Sequence, residues 1–145
     1  MRAVLLLAVL FIAVPDREDP AAKDAKTLAK QLLGAWESVK LTNFGEELDL
    51  KLTLVFESDE VRVYHDGKYQ ADEDARYVID ASKMPATMDI FPIKPCQKKE
   101  QAIFKIEGDQ MTVCAIQVND GPRPTEFRSP PNSRVTLVHF KRVKK

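Results

Sequence analysis

His65 and His139 are the only imidazoles in this 145-residue chain, and Cys96 and Cys114 the only thiols. A metal centre needs three or four converging ligands, and neither histidine belongs to a local cluster with ligand spacing. Asp72-Glu73-Asp74 offers oxygens to calcium. A calcium loop, however, alternates its oxygens and contains a glycine, so this run reads as a solvated turn. Acyl-transfer chemistry finds no Gly-x-Ser-x-Gly elbow, and neither cysteine has a histidine near it in sequence. Gly34, Gly45, Gly67, Gly108 and Gly121 are scattered singly and build no phosphate-cradling loop. No catalytic residue, metal or cofactor is expected, and the chain reads as a non-enzyme.

Two features remain that could carry specific chemistry. Arg123 stands between Pro122 and Pro124, whose fixed backbone angles hold the preceding residues extended. Such a loop aims a guanidinium in one direction, either at an anionic ligand or at a carboxylate of the protein itself, Glu126 or one at a strand end. The internal clamp is the expectation. Cys96 and Cys114 form an even pair that an oxidising compartment would allow to bond. Cys114 lies mid-strand and Cys96 follows Pro95 in a loop, so the bridge is a candidate only.

Lysine and arginine number 22, as do aspartate and glutamate. That balance gives no field toward nucleic acid or an anionic surface. Met1-Arg2 followed by an apolar run over residues 3–14, ended by Pro15, suits a secretory signal and is short for a bilayer span. The expected organisation is a signal peptide over 1–15, a charged spacer over 16–23 and one domain over 24–145. This implies an extracytoplasmic, periplasmic or secreted protein with no membrane span once the signal is removed, the alternative being an uncleaved N-terminal anchor. A monomer is expected.

Asp24 to Leu33 reads as a short helix, with Ala25, Leu28, Ala29 and Leu32 at helical spacing and Gly34 at its C-cap. Such a helix must dock its apolar stripe, and the open end of a barrel offers a place. From Trp36 the period becomes two. Leu48, Leu50, Leu52, Leu54 and Phe56 alternate with Asp49, Lys51, Thr53, Val55 and Glu57 as one half-buried strand. Strands follow over 61–65, 76–80, 87–91, 102–107, 110–118 and 134–143, with Asp66-Gly67 and Gly108-Asp109 as tight turns. The reading is all-β: a small antiparallel up-and-down barrel of about eight strands, closed by pairing its first strand, Trp36 to Leu41, with its last.

Leu33-Gly34-Ala35-Trp36, Leu52-Thr53-Leu54-Val55-Phe56, Met84-Pro85-Ala86-Thr87-Met88-Asp89-Ile90 and Ile106-Glu107-Gly108-Asp109 before Met111 carry a resemblance. With the heptad Gly121-Pro122-Arg123-Pro124-Thr125-Glu126-Phe127, its most specific part, the chain from Leu32 to Arg142 resembles a family of uncharacterised, exported lipocalin-like domains of planctomycete bacteria. Where that family carries glycines around its third-to-fourth strand connection, this chain has Gly67 and then Gln70-Ala71-Asp72-Glu73-Asp74. The resemblance implies a lipocalin-like barrel with no established activity. In lipocalins the Gly-x-Trp tryptophan plugs the closed end and a basic residue of the last strand packs on its ring. Trp36 and Arg142, in phase with Val138 and Phe140, match those roles. Candidate binding residues are thus Trp36 and Arg142, with Arg123, Thr125 and Phe127 of the proline-rich loop. The expected function is binding of a small apolar or amphipathic ligand or a protein partner. The alternative is a structural barrel filled by its own bulky residues, among them Phe104, Ile106, Met111 and Val113.

Overall fold

Period-two alternation along the chain builds one antiparallel sheet that curls until its ends meet. The computed structural model describes residues 20–95 and 97–144, with side chains from Asp24 onward. The expected signal over 1–15 and the spacer residues 16–19 lie outside them. Helix α1 spans Pro20–Leu32. Ten strands follow: β1 Gly34–Asn43, β2 Glu46–Leu48, β3 Leu52–Phe56, β4 Glu60–His65, β5 Lys68–Tyr69, β6 Ala75–Asp80, β7 Ala86–Pro92, β8 Glu100–Glu107, β9 Gln110–Gln117 and β10 Thr136–Arg142.

Eight of them form the wall, in the order β1-β3-β4-β6-β7-β8-β9-β10, and β10 pairs back onto β1 to close it. Trp36 faces Arg142 and Asn43 faces Thr136 across that seam. The lipocalin-like all-β barrel with a short preceding helix is therefore the observed fold. Closure removes the long edges that an open sheet would leave for aggregation. Only the short β2 and β5 lie off the wall, on β1 and β4 respectively.

The helix begins four residues earlier than its apolar spacing predicts. Pro20 is its first residue, where proline is tolerated because the N–H it lacks would find no partner in the first turn. Leu28 and Leu32 dock on the core, while Ala29, which shares their spacing, stays exposed. A second difference concerns the expected strand from Leu48 to Phe56, which is broken between Leu48 and Leu52. β1 bulges between Ser38 and Lys40, so its ladder slips there. The Ser38 hydroxyl fills the gap, accepting the Leu52 N–H at 2.9 Å and donating to the Leu50 carbonyl at 3.3 Å. Leu48 is consequently left 40% exposed rather than facing the core.

The main core holds Leu32, Trp36, Phe56, Tyr77, Met88, Phe104, Met111 and Phe140, all on the inner face or under the helix. Phe56 and Tyr77 meet edge to face, with ring centroids 5.1 Å apart. A smaller cluster of Ile103, Cys114 and Leu137 faces outward and is covered by Phe127 and Val135 of the β9–β10 loop.

Trp36 is fully buried, so Trp36→Ala should lower unfolding stability by about 3–5 kcal/mol. Chemical denaturation monitored by circular dichroism measures this. A loss below about 0.5 kcal/mol, as at surface positions, would contradict the packing described.

Candidate functional site

The two ends of the barrel differ in chemistry. At the closed end, the Trp36 indole N–H donates to the Leu32 carbonyl at 2.9 Å, tying the last turn of α1 to the wall. The Arg142 guanidinium lies 4.2 Å from the Trp36 ring centroid, a cation–π contact worth about 0.5–2 kcal/mol. The same guanidinium donates to the carbonyls of Leu33 at 3.0 Å and Gln31 at 2.5 Å, and its Nε approaches Asp109 at 3.6 Å. These are carbonyls that a helix end leaves unpaired, and a cation there also suits the helix dipole. Gly34, at φ +109°, lets the chain turn from helix to strand directly beside Arg142 Nη1. Trp36 and Arg142 are brought together as the expected plug.

The proline-rich loop is strapped to the outside of the wall. Arg123 donates from Nη1 to the carbonyls of Ala102 at 2.9 Å and Met88 at 3.3 Å, and from Nη2 to Asp89 Oδ1 at 2.5 Å. It thereby ties β7 to β8 as the internal clamp. Its carboxylate is Asp89, not Glu126, which pairs with Arg128 instead. Phe127 covers the outer apolar cluster with the Lys105 ammonium 5.1 Å from its ring centroid. Thr125 is exposed beside Arg123 in a shallow outer groove that also contains Met84 and Pro85. At its far end the loop presses Pro130 and Pro131 against Gly45. A Cβ there would stand 2.6 Å from the Pro131 backbone, which requires the glycine. Cys114 is a buried free thiol whose Sγ lies 3.5 Å from the Arg128 carbonyl. Cys96 lies outside the described residues.

The barrel interior is packed by large side chains at the Trp36 end. Toward the other end lies a cavity of about 520 Å³. Leu52, Leu54, Phe56, Val61, Val63, Met88, Ile90, Val113, Val138 and Phe140 line its walls. Its polar lining consists of His65, Glu73, Glu100, Asp120 and Arg134, with the uncharged Asn43, Gln97, Gln117 and Thr136. None of Trp36, Arg123, Thr125, Phe127 and Arg142 lines this space.

The acidic stretch after β5 is a turn at the surface, as its sequence suggests, and takes the form of a single 3-10 turn, Ala71–Glu73. Three contacts hold it at the rim. Glu73 pairs with His65 Nε2 at 2.7 Å, Asp72 with Lys94 at 2.9 Å, and Asp74 accepts from the Tyr69 hydroxyl. Glu100, the first residue of β8, is partly buried. Its carboxyl is pushed above the usual carboxylate range by that burial and, secondarily, by the negative charge of Glu73. Arg134 stacks 5.7 Å from the Phe44 ring centroid. His139 sits on the outer side of β10, its Nδ1 3.5 Å from the Thr112 hydroxyl. Among the described residues, no three histidine, cysteine or acidic side chains converge as metal ligands would.

Glu100 had a readable signal. It is in phase with Ala102, Phe104 and Ile106, so the alternation that buries them turns a carboxyl inward. His65, Glu73 and Arg134 come from β4, the 3-10 turn and the β9–β10 loop, and only the closed barrel assembles them.

No protein-family model matches the chain, and neither the curated proteins nor the solved structures contain a significant match. Among the described residues, no helix is long and apolar enough to cross a membrane.

Arg123 and Asp89 side chains are only 29% and 30% exposed, and two strand carbonyls share the guanidinium. Arg123→Ala should therefore lower unfolding stability by about 1–3 kcal/mol, because it strands partly buried acceptors. A double-mutant cycle with Asp89→Asn checks the pairing. An unchanged midpoint in Arg123→Ala would show that the loop side chain is free for other work.

Proposed function

We propose that this protein binds a small amphipathic molecule inside its barrel and that it does so outside the cytoplasm. The observation that supports binding is the cavity, whose volume of about 520 Å³ falls in the range of small-molecule sites. Its composition also follows the usual pattern of an apolar pocket with a few polar groups to orient the guest. A barrel acting only as a structural module would be filled along its whole length, as the Trp36 end is by Trp36, Phe104, Met111 and Phe140. The resemblance to exported lipocalin-like domains belongs to the same reading, as does the absence of any catalytic constellation in the sequence.

The hydrocarbon of such a guest would lie among Leu54, Val63, Met88 and Val138, with its polar end among His65, Glu73 and Glu100. The neutral fluorophore N-phenyl-1-naphthylamine should brighten and shift to shorter wavelength on mixing with the protein. Ala115→Phe, which places a ring in the cavity, should abolish that signal while leaving the melting temperature nearly unchanged. Equal probe binding by the wild type and Ala115→Phe would contradict a site inside the barrel.

Export rests on Met1-Arg2 and the apolar run over 3–14. N-terminal sequencing of protein from its native host should find a mature start between Pro15 and Asp24. An intact Met1 on a soluble cytoplasmic species would refute this.

A further inference from the structure

The charges around the cavity are unevenly matched. Five ionisable groups line it: His65 of β4, Glu73 of the 3-10 turn after β5, Glu100 of β8, Asp120 of the turn after β9, and Arg134 before β10. Glu73 is engaged by His65. The Arg134 guanidinium lies over the Phe44 ring. Lys99, next to Glu100 in sequence, points to the outer face, where it meets Asp89 at 3.9 Å and the Phe91 ring at 4.7 Å. Neither Glu100 nor Asp120 has an ion-pair partner among the described residues, and no lysine there lines the cavity.

Glu100 is the informative member of this set. Strand alternation obliges its side chain to face inward with Ala102 and Phe104. It stands above apolar walls with another carboxylate near it. A carboxylate removed from water and left without a counter-charge is costly, and a second negative group nearby adds to the cost. A cation entering with an apolar body would relieve both effects, whereas an anionic head would meet the unpaired Glu100 and Asp120 beside the His65-bound Glu73, with one stacked arginine to offset them. Electrostatic complementarity of this kind sets which guest is accepted more than how tightly an apolar body is held.

Resting on the ligand-binding reading above, we propose that the cavity selects amphipathic amines, with the protonated amine seated at Glu100 and Glu73 and the hydrocarbon directed toward Met88 and Phe140. Asp120 supplies further negative charge to the same surroundings. Arg134, held over Phe44, disfavours cations only on its own side.

The test compares three guests that share one hydrocarbon chain, namely decylamine, decan-1-ol and decanoate, by isothermal titration calorimetry on the whole domain near pH 7. The amine should bind at least about tenfold more tightly than the carboxylate, with the alcohol between them. In Glu100→Gln the amine's advantage over the alcohol should shrink by a similar factor. Arg134→Gln should leave that advantage in place. If decanoate binds best, or if Glu100→Gln leaves the amine-to-alcohol ratio untouched, amine selection is overturned while the cavity remains a binding site. Binding of none of the three would overturn the ligand-binding reading, and amine selection with it.

Discussion

The Arg142 guanidinium, lying between the Trp36 ring and the last carbonyls of α1, is the contact on which the architecture depends. It joins three elements at one point. Arg142 comes from the last strand and Trp36 from the first, so their contact fastens the seam that closes the barrel. The carbonyls of Gln31 and Leu33 belong to the helix end, so the same group fixes α1 across the opening. A guanidinium can do this because its planar face suits an aromatic ring while its edge carries several donors. A lysine would present a point charge and could not serve both roles at once.

Sealing one end firmly allows the other to stay hollow. The large side chains Trp36, Phe104, Met111 and Phe140 fill the barrel beneath the helix, and Phe56 against Tyr77 extends the packing. Past that layer the inward residues become smaller or partly exposed, as at Val63, Ala115 and Thr136, and space opens. The outer wall needs its own support there, because a hollow barrel lacks packing from within. The β9–β10 loop provides it, through Arg123 across β7 and β8 and through Phe127 on the outer apolar cluster. Proline suits such a strap, since it lowers the entropy lost when the loop is fixed.

Much of this was legible in the sequence, for reasons that are local. Period-two alternation in Leu52–Phe56 or Gln110–Gln117 depends only on which face is buried, and the Asp66-Gly67 turn depends only on backbone preference. Arg142 could be placed over Trp36 because it is in phase with Val138 and Phe140. The break before Leu52 was not legible, since it arises from a hydroxyl twelve or more positions upstream, at Ser38. Pro20 reads as spacer in the sequence because a proline beside charges signals a linker as readily as a first helical turn. The clamp was expected, but its partner Asp89 lies 34 positions away and could not be named. The rim of the cavity is not legible in the sequence for the same reason: its charges converge only once the sheet has closed.

The proposed division of labour is between a sealed structural end and an open binding end. It is tested most directly by a nuclear magnetic resonance titration with decylamine that follows methyl groups and the Trp36 indole N–H together. The methyls of Val63, Met88 and Val138 should shift progressively while the Trp36 indole signal stays fixed. Movement of the indole signal with the cavity methyls unchanged would contradict it, because the guest would then be sitting at the end the barrel is built to close.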